Sequence, residues 1–223
     1  MTEVILIMIL AICLLLIYFL YKTLEKRGLY FSLVILNILT FILTFKITTV
    51  FKMNTNQGII TLVPMLSIFY IYLIKYGKRD IKQLMIISLI TNIVTAIIIT
   101  TLNYYVPAIT ETISINIEGT FQYHYKILII FPIIMLLSEY LITKLYAFII
   151  ELQNNNFISI ILTYIITGLI YTVMFSVIGY IKKFDIKSSI FLGITTYIIG
   201  LILTLICTPF ITYITGSKKV RKW

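Results

Sequence analysis

The stretch FISIILTYIITGLIYTVMFSVIGYI, residues 157–181, is a run of 25 residues without a charged side chain. A helix needs about 20 apolar residues to cross the roughly 30 Å hydrocarbon core of a bilayer, so this run is long enough to span a membrane. It lacks the apolar/polar alternation of a membrane β-barrel and is about twice as long as a barrel strand. In lipid such a run predicts a helix, because a helix satisfies its own backbone hydrogen bonds.

Six other stretches have the same character. Residues 4–21 are too long for the apolar region of a signal peptide, and no basic segment precedes them, so we expect a retained helix. The approximate predicted spans are residues 4–21, 29–51, 59–74, 84–105, 127–150, 157–181 and 190–214. The predicted fold class is all-α: a polytopic integral membrane helical bundle of about seven transmembrane helices, forming one membrane domain over residues 1–223.

The composition argues against a water-soluble domain. Hydrophobic residues make up 61% of the chain and charged residues 12%, whereas soluble domains have about 45–50% apolar and about 25% charged residues. The surplus apolar surface must face lipid. The formal net charge is +10, but the basic residues form short clusters between apolar runs, as membrane topology signals do. We therefore expect the lipid bilayer as a partner and no nucleic acid.

The lysines and arginines also predict an orientation in the cell membrane, since cytoplasmic loops are enriched in both. Three clusters fall on one side of a seven-span bundle: Lys22, Lys26 and Arg27; Lys75, Lys78, Arg79 and Lys82; and Lys218, Lys219, Arg221 and Lys222. This side is predicted to be cytoplasmic with the C-terminus, which places the N-terminus outside. Lys182, Lys183 and Lys187 conflict with the prediction, because the sixth loop then lies outside.

The chain lacks the motifs of common enzymes. It has no phosphate-binding loop, no nucleophile elbow and no zinc-protease helix. His124 is the only histidine, and Cys13 and Cys207 lie in apolar runs without metal-ligand spacing. Asp80 and Asp185 both fall in predicted loops, so an intramembrane aspartyl protease is excluded. We expect no enzymatic activity, no catalytic residues, no metal site and no cofactor.

Glu139 is the sharpest functional signal. It lies near the middle of the fifth predicted span, where an acid costs roughly 2.5–3.5 kcal/mol on insertion scales. One interpretation is a role in ligand or proton binding. The other is a protonated glutamic acid that is hydrogen-bonded to a neighbouring Thr or Tyr.

Other polar side chains are scattered through the predicted spans. Each one could join two helices through hydrogen bonds, worth about 0.6 kcal/mol per contact. Together they could instead line a neutral cavity for a planar ligand. The candidate substrate-binding residues are Lys46, Tyr70, Asn92, Ser138, Glu139, Tyr171 and Thr172.

The order of several short motifs resembles the queuosine-precursor transporter family, also called the vitamin uptake transporter family. The resemblance runs from about Gly28 to the C-terminus. It is carried by Gly28-Leu29-Tyr30, Asn37, Lys46, Gly58, Tyr76-Gly77-Lys78-Arg79, Asp80, Lys82, Ser138, Thr172-Val173-Met174-Phe175 and Thr208-Pro209-Phe210. It implies a helical transporter that takes up a deazapurine such as 7-cyano-7-deazaguanine.

The chain departs from the family at its charged membrane positions. Acidic positions of the family appear here as Tyr70, Ile74, Tyr171 and Cys207, a lysine appears as Gly200, and an arginine appears as Lys126. Glu139 stands where the family more often has glutamine. A resemblance without these charged residues still supports a shared fold, but it supports a shared substrate less well.

The sequence therefore favours a membrane transporter for a small planar solute. One alternative is the substrate-binding membrane subunit of an ATP-driven vitamin uptake complex, which would have an ATPase module as its partner. Another is a non-transporting membrane binding protein. A homo-oligomer is compatible with each of these.

Overall fold

The computed structural model describes residues 2–78, 80–102, 125–180 and 184–216. In this part of the chain there are six helices and one short hairpin. The helices are α1 (Thr2–Leu43), α2 (Ile59–Tyr76), α3 (Ile81–Leu102), α4 (Tyr125–Gln153), α5 (Asn156–Tyr180) and α6 (Ile186–Thr215), and the strands are β1 (Ile47–Val50) and β2 (Met53–Asn56). All six helices are long and apolar enough to cross a membrane. The predicted helical architecture is thus confirmed at this level.

The first helix contains a sharp break. Glu25 has φ 46° and ψ −122°, which is not helical. Across the break the chain doubles back, because a Cβ at Gly28 would lie 2.0 Å from the Leu20 carbonyl oxygen. At the far end, the Phe51 N–H donates to the Glu3 carboxylate at 3.3 Å. The first two predicted spans therefore lie in the two antiparallel parts of α1, residues 2–24 and 26–43.

The second helix lies at the centre of the bundle. Every residue from Ile59 to Ile74 is buried, and α2 packs against α1, α3, α4 and α6. The surrounding helices contact one another in the order α1, α3, α4, α5, α6. Tyr18 meets Tyr213 with ring centroids 6.5 Å apart, which brings the first part of α1 against α6. The protein core therefore runs along α2.

The prediction that the second span continues as a helix to Phe51 is wrong. The helix ends at Leu43, and strands β1 and β2 pair antiparallel with Val50 opposite Met53. Phe51 and Lys52 both have positive φ, 48° and 63°, as in the two-residue turns that match the twist of a hairpin. The β-branched run Ile47–Val50 favours a strand once its backbone has a partner.

The hairpin is held on the end of the bundle by α6. The Thr195 hydroxyl donates to the Asn54 carbonyl at 2.5 Å, and the Asn56 N–H donates to Thr196 Oγ1 at 3.1 Å. Asp185 accepts from the Ser188 N–H at the first turn of α6. Hydrogen bonds from the Ser188 side chain and backbone hold the pKa of the Asp185 carboxyl below its ordinary value. This cap explains why α6 begins four residues before the predicted span.

The bundle has two chemically different ends. Lys26 pairs with Asp80 at 2.6 Å, and Lys78 pairs with Glu151 at 3.6 Å. These contacts bring the α1 break, the α2–α3 connection and the α4–α5 connection together at one end, which we call the basic end. The opposite end, which carries residues 47–56, is called the hairpin end.

The described residues of the predicted cytoplasmic clusters follow this division, whereas Lys46, Lys52, Lys126 and Lys187 lie at the opposite end. At the basic end lie the predicted cytoplasmic residues Lys22, Lys26, Arg27, Lys75, Lys78 and Lys82. Lys187 lies at the hairpin end, beside Ile47 and Asn54. Predicted topology residues outside the described part of the chain are Arg79, Lys182, Lys183, Lys218, Lys219, Arg221 and Lys222.

Candidate functional site

Two adjacent residues of α4 face different neighbours. Glu139 faces α3, where Ser88 is its hydrogen-bond partner, whereas Ser138 lines a small cavity between α4, α2 and α5. Consecutive residues of a helix point about 100° apart, so one helix can present side chains to two sites. The residues around each site differ in chemistry, and we describe them separately.

The first site, which we call the acid cluster, consists of Asn37, Ser88 and Glu139. The Ser88 hydroxyl donates to Glu139 Oε1, and Asn37 Nδ2 donates to the Ser88 hydroxyl at 2.6 Å. Glu139 and Asn37 are fully buried, and Ser88 is 1% exposed. The cluster thus joins three helices, α1, α3 and α4, through side chains that are shielded from solvent and lipid.

The acid cluster leaves several polar atoms without a partner. Within the described residues, no group hydrogen-bonds Glu139 Oε2 or Asn37 Oδ1. Asn92, one turn along α3 from Ser88, has no partner for either side-chain amide atom. A buried polar group without a hydrogen bond costs about 1–3 kcal/mol, so such atoms are usually satisfied by water, a proton or a ligand.

The second site is a small cavity on the other side of α4, which we call the tyrosine cavity. Its volume is about 10 Å³, close to the minimum that holds one water molecule. The lining side chains come from three helices: Leu62 and Leu66 from α2, Ser138 and Ile142 from α4, and Tyr164, Thr167, Gly168 and Tyr171 from α5. The cavity is therefore enclosed by the central helix and two outer helices.

Tyr164 and Tyr171 are the aromatic residues that line the tyrosine cavity among the described residues, and further aromatic residues lie on α2, α4 and α5. The Tyr171 ring stacks on Phe175 with centroids 5.8 Å apart, and Tyr70 meets Tyr146 edge-on at 5.4 Å. The hydroxyls of Tyr70 and Tyr164 have no hydrogen-bond partner within the described residues. Aromatic faces with unused hydroxyls suit a planar ligand that carries polar groups at its edge.

Gly200 makes room for one of these tyrosines. A Cβ at position 200 would lie 1.9 Å from the Tyr164 hydroxyl oxygen and 3.0 Å from Ile59 Cδ1. The Tyr164 hydroxyl thus occupies the space where any other residue would place its side chain. This packing gives a physical reason for glycine at position 200.

The structure brings only some of the predicted site residues together. Ser138 and Tyr171 line the tyrosine cavity, while Glu139 lies in the acid cluster with Asn92 nearby on α3. Tyr70 is buried in α2 beside Tyr146. Thr172 donates back to the Gly168 carbonyl at 2.8 Å and does not line the tyrosine cavity.

The prediction that Lys46 belongs to a membrane-spanning helix is wrong. It lies in the turn between α1 and β1, its side chain is exposed, and its carbonyl accepts from the Gln57 N–H at 2.9 Å. The helix ends before this residue because the following β-branched segment forms the hairpin. Lys46 is therefore remote from both sites.

Ser88 and Tyr164 belong to the sites but are not among the predicted residues. Ser88 precedes Asn92 by four positions and Tyr164 precedes Tyr171 by seven, so each shares a helix face with a predicted residue. This spacing was available in the sequence. The sequence does not show which face of each helix is buried against the site, since both helices are apolar on every side.

A surface groove opens at the hairpin end. Its volume is about 510 Å³, and its walls include Asn54, Phe184, Lys187 and Phe191. It lies between the hairpin and the first turns of α6. The groove is wide enough for a small molecule, but its lining residues belong to neither buried site.

Comparison with known proteins gives no relative for this chain. No protein-family model matches it, and no curated protein or solved structure is significantly similar. Among the described residues, no three His, Cys, Asp or Glu side chains lie close enough to hold a metal ion.

Proposed function

We propose that the chain crosses the membrane seven times, with the hairpin end outside and the basic end in the cytoplasm. The two antiparallel parts of α1 supply the first two crossings, and α2 to α6 supply the other five. The support is an excess of lysines and arginines at the basic end, where residues 22–27, 75–78 and 80–82 lie, over the four described lysines of the hairpin end, Lys46, Lys52, Lys126 and Lys187. This excess agrees with the enrichment of these residues in cytoplasmic loops.

Single cysteines at the two ends test this topology. Cys13 and Cys207 are buried, so neither should react with a membrane-impermeant maleimide. We expect Asn54→Cys to be labelled in intact cells and Gln153→Cys only after permeabilisation. Labelling of both from the outside would contradict the proposed topology.

We further propose that the protein is a transporter for a small planar solute, with the tyrosine cavity as the core of the solute site. The observation that carries this proposal is the cavity itself, which places two tyrosine rings and the Ser138 hydroxyl against the central helix. Tyr171 and Tyr164 offer faces for stacking. The Ser138 hydroxyl, which donates to the Ile134 carbonyl at 2.7 Å, can still accept a hydrogen bond from the edge of a ring. The Tyr164 hydroxyl, which has no partner among the described residues, reaches the site once it leaves its place against Gly200.

The cavity must widen to admit such a solute. Its volume is about 10 Å³, whereas ordinary ligand sites have volumes of about 300–1,000 Å³. Widening requires α5 to move away from α2 and α4, or Tyr164 and Tyr171 to change rotamer. Movement of some helices against others around a central site is how many membrane transporters expose that site to each side in turn.

The substrate class comes from the family resemblance, which favours a deazapurine such as 7-cyano-7-deazaguanine. Such a ring system is planar and carries donors and acceptors at its edge. Its flat ring fits the tyrosine cavity, whose wall is apolar and carries the rings of Tyr164 and Tyr171, with no charged side chain among the described lining residues.

Uptake of labelled 7-cyano-7-deazaguanine into liposomes containing only the purified chain tests this function. We expect Ser138→Ala and Tyr164→Phe to lower uptake about three- to tenfold, the effect of losing one hydrogen bond. Tyr197→Phe is the matched control, since that ring is partly exposed and its hydroxyl bonds the Ile165 carbonyl at 3.3 Å.

The possible results separate the components of the proposal. No uptake by the wild type would remove this substrate, and equal uptake by all variants would remove the tyrosine cavity from the transport path. Uptake by the wild-type chain alone would also exclude an obligatory ATPase module.

A further inference from the structure

Glu139 is a buried acid without a compensating charge. The acid cluster supplies it with one hydroxyl donor, from Ser88, and no salt bridge involves it within the described residues. An ionised carboxylate in an apolar interior is strongly unfavourable unless it is paired, and an unpaired one becomes neutral instead. The charge of Glu139 must therefore be cancelled by something that binds to it.

We propose that the acid cluster is a proton-binding site and that Glu139 carries the proton that drives solute uptake. The second half of this statement rests on the proposed transport function, whereas proton binding at Glu139 does not. The chemistry is simple: Glu139 Oε2 takes one proton from water on the side of higher proton concentration and becomes a carboxylic acid. No other bond is made or broken.

The hydrogen bonds of the cluster favour a proton over a metal ion. Ser88 and Asn37 already contact the acid or each other directly, and only one carboxylate is present. Glu139 Oε2 and Asn37 Oδ1 are both acceptors without a donor. A proton on Oε2 turns one acceptor into a donor, which a metal ion would not do.

No titratable group near the acid competes for this role. On α4, Tyr140 and Lys144 are exposed, with the Lys144 ammonium 5.7 Å from the centre of the Tyr140 ring. From α1 and α3 the facing groups are Asn37 and Ser88, which do not titrate. The other buried titratable groups in the described parts of α2, α4 and α5 are phenols, which stay neutral at physiological pH: Tyr70 and Tyr72 from α2, Tyr146 of α4 itself, and Tyr164, Tyr171 and Tyr180 from α5.

The position of Glu139 on α4 links the proton to the solute. Its neighbour Ser138 lines the tyrosine cavity, so one rigid helix carries both groups. A change in the charge of Glu139 alters the strength of its hydrogen bond with Ser88. The packing of α4 on α3 therefore changes as well. The same movement of α4 changes the wall of the tyrosine cavity, which is the requirement for coupling two binding events.

Infrared spectroscopy of the purified protein tests proton binding without any solute. At neutral pH we expect one carbonyl band of a protonated carboxylic acid that shifts in heavy water and disappears in Glu139→Gln. Ser88→Ala should move the band to higher frequency, because the hydroxyl no longer donates to the acid. Absence of the band in the wild type, or its persistence in Glu139→Gln, would overturn the proton site.

Uptake driven by a pH gradient tests the coupling. For one proton per neutral solute, a gradient of one pH unit should accumulate the solute about tenfold. We expect Glu139→Gln to lose this accumulation, while solute exchange without a gradient stays measurable because it needs no net proton movement. Tyr140→Phe, next in sequence but on the exposed face, is the control that should accumulate like wild type.

The two experiments fail differently. Accumulation that ignores the gradient, or that survives in Glu139→Gln, would overturn the coupling even if the infrared band is present. A wild type that transports no solute would remove the transport function and with it the coupling, while the infrared result would still decide whether Glu139 binds a proton.

Discussion

The central helix α2 and the outer helix α3 are both uncharged along most of their length, yet their surroundings are opposite. In the most apolar 18-residue stretch, 89% of the residues of α2 are buried but only 28% of those of α3. The buried helix is the less hydropathic of the two. In a bilayer, lipid is as apolar as leucine, so the most apolar helix gains little from a central position.

The polar residues of the two helices explain the difference. On α2, Thr61 accepts from the Thr40 hydroxyl at 2.9 Å and the Tyr72 hydroxyl lies 3.1 Å from the Tyr30 hydroxyl, so these two groups find partners on α1. On α3, the buried residues follow a three- and four-residue spacing: Ile81, Leu84, Ser88, Asn92, Thr95 and Ile99. One stripe of α3 thus faces protein, and the rest is exposed on the outside of the bundle.

Truncation of one isoleucine in each helix should give the largest difference in stability between a variant of α2 and a variant of α3. Ile68 of α2 is fully buried, whereas Ile97 of α3 is 59% exposed. We expect Ile68→Ala to lower the free energy of unfolding by about 2–5 kcal/mol, because it leaves a cavity. We expect less than about 1 kcal/mol for Ile97→Ala, since lipid fills the space.

Reversible unfolding in mixed detergent micelles measures both values. The two variants remove the same atoms, so the difference reports burial alone. Equal losses would mean that α2 is not the centre of the bundle.

A methyl group at position 200 should disturb the packing around α2 less severely. Gly200→Ala places a Cβ 1.9 Å from the Tyr164 hydroxyl and close to Ile59 of α2. Overpacking of this kind typically costs about 1–3 kcal/mol. Tyr164→Phe removes the clashing oxygen, so the double variant should recover most of the loss.

The double-mutant cycle is read from the same unfolding experiment. Additive effects of the two substitutions, with no recovery, would contradict the contact between Tyr164 and Gly200.

Removing one hydroxyl from each helix should give the smallest difference. Thr61→Val breaks the hydrogen bond that joins α2 to α1, and we expect a loss of about 0.6 kcal/mol, typical of such bonds in membranes. Thr101 is exposed on α3 and bonds only its own helix, through the Ile97 carbonyl. Thr101→Val should therefore change stability by close to zero. A larger loss of stability in Thr101→Val than in Thr61→Val would contradict the assignment of α2 as the buried helix and α3 as the outer one.

Much of the helical framework could be predicted because helices that are able to span a membrane consist of continuous apolar runs of sequence. The predicted cores of residues 59–74, 127–150 and 190–214 all lie within α2, α4 and α6. Asn92 and Thr95 are three positions apart and Thr172 and Ser176 are four apart, a spacing that places each pair on one helix face, and all four residues are buried. Helical spacing is a local property, so no tertiary information was needed.

The candidate site could be predicted only in part. Residue type identified Glu139, Ser138 and Tyr171 as unusual inside a span, but not that adjacent residues of α4 face separate sites. The hairpin was missed because residues 44–51 continue an apolar run, and only the contacts of Asn54 and Asn56 with α6 reveal why the chain leaves the helix there.

The sequence by itself determined that the chain forms long apolar helices with basic residues concentrated in some of their connections, because bilayer thickness and backbone hydrogen bonding leave few alternatives. The tertiary structure decided which helix is central, where α1 turns back, and which polar side chains meet. These features depend on contacts between residues far apart in the chain, such as Asn37 with Ser88 and Tyr164 with Gly200. Hydropathy does not encode such contacts, because every helix of this bundle is apolar enough to face either lipid or protein.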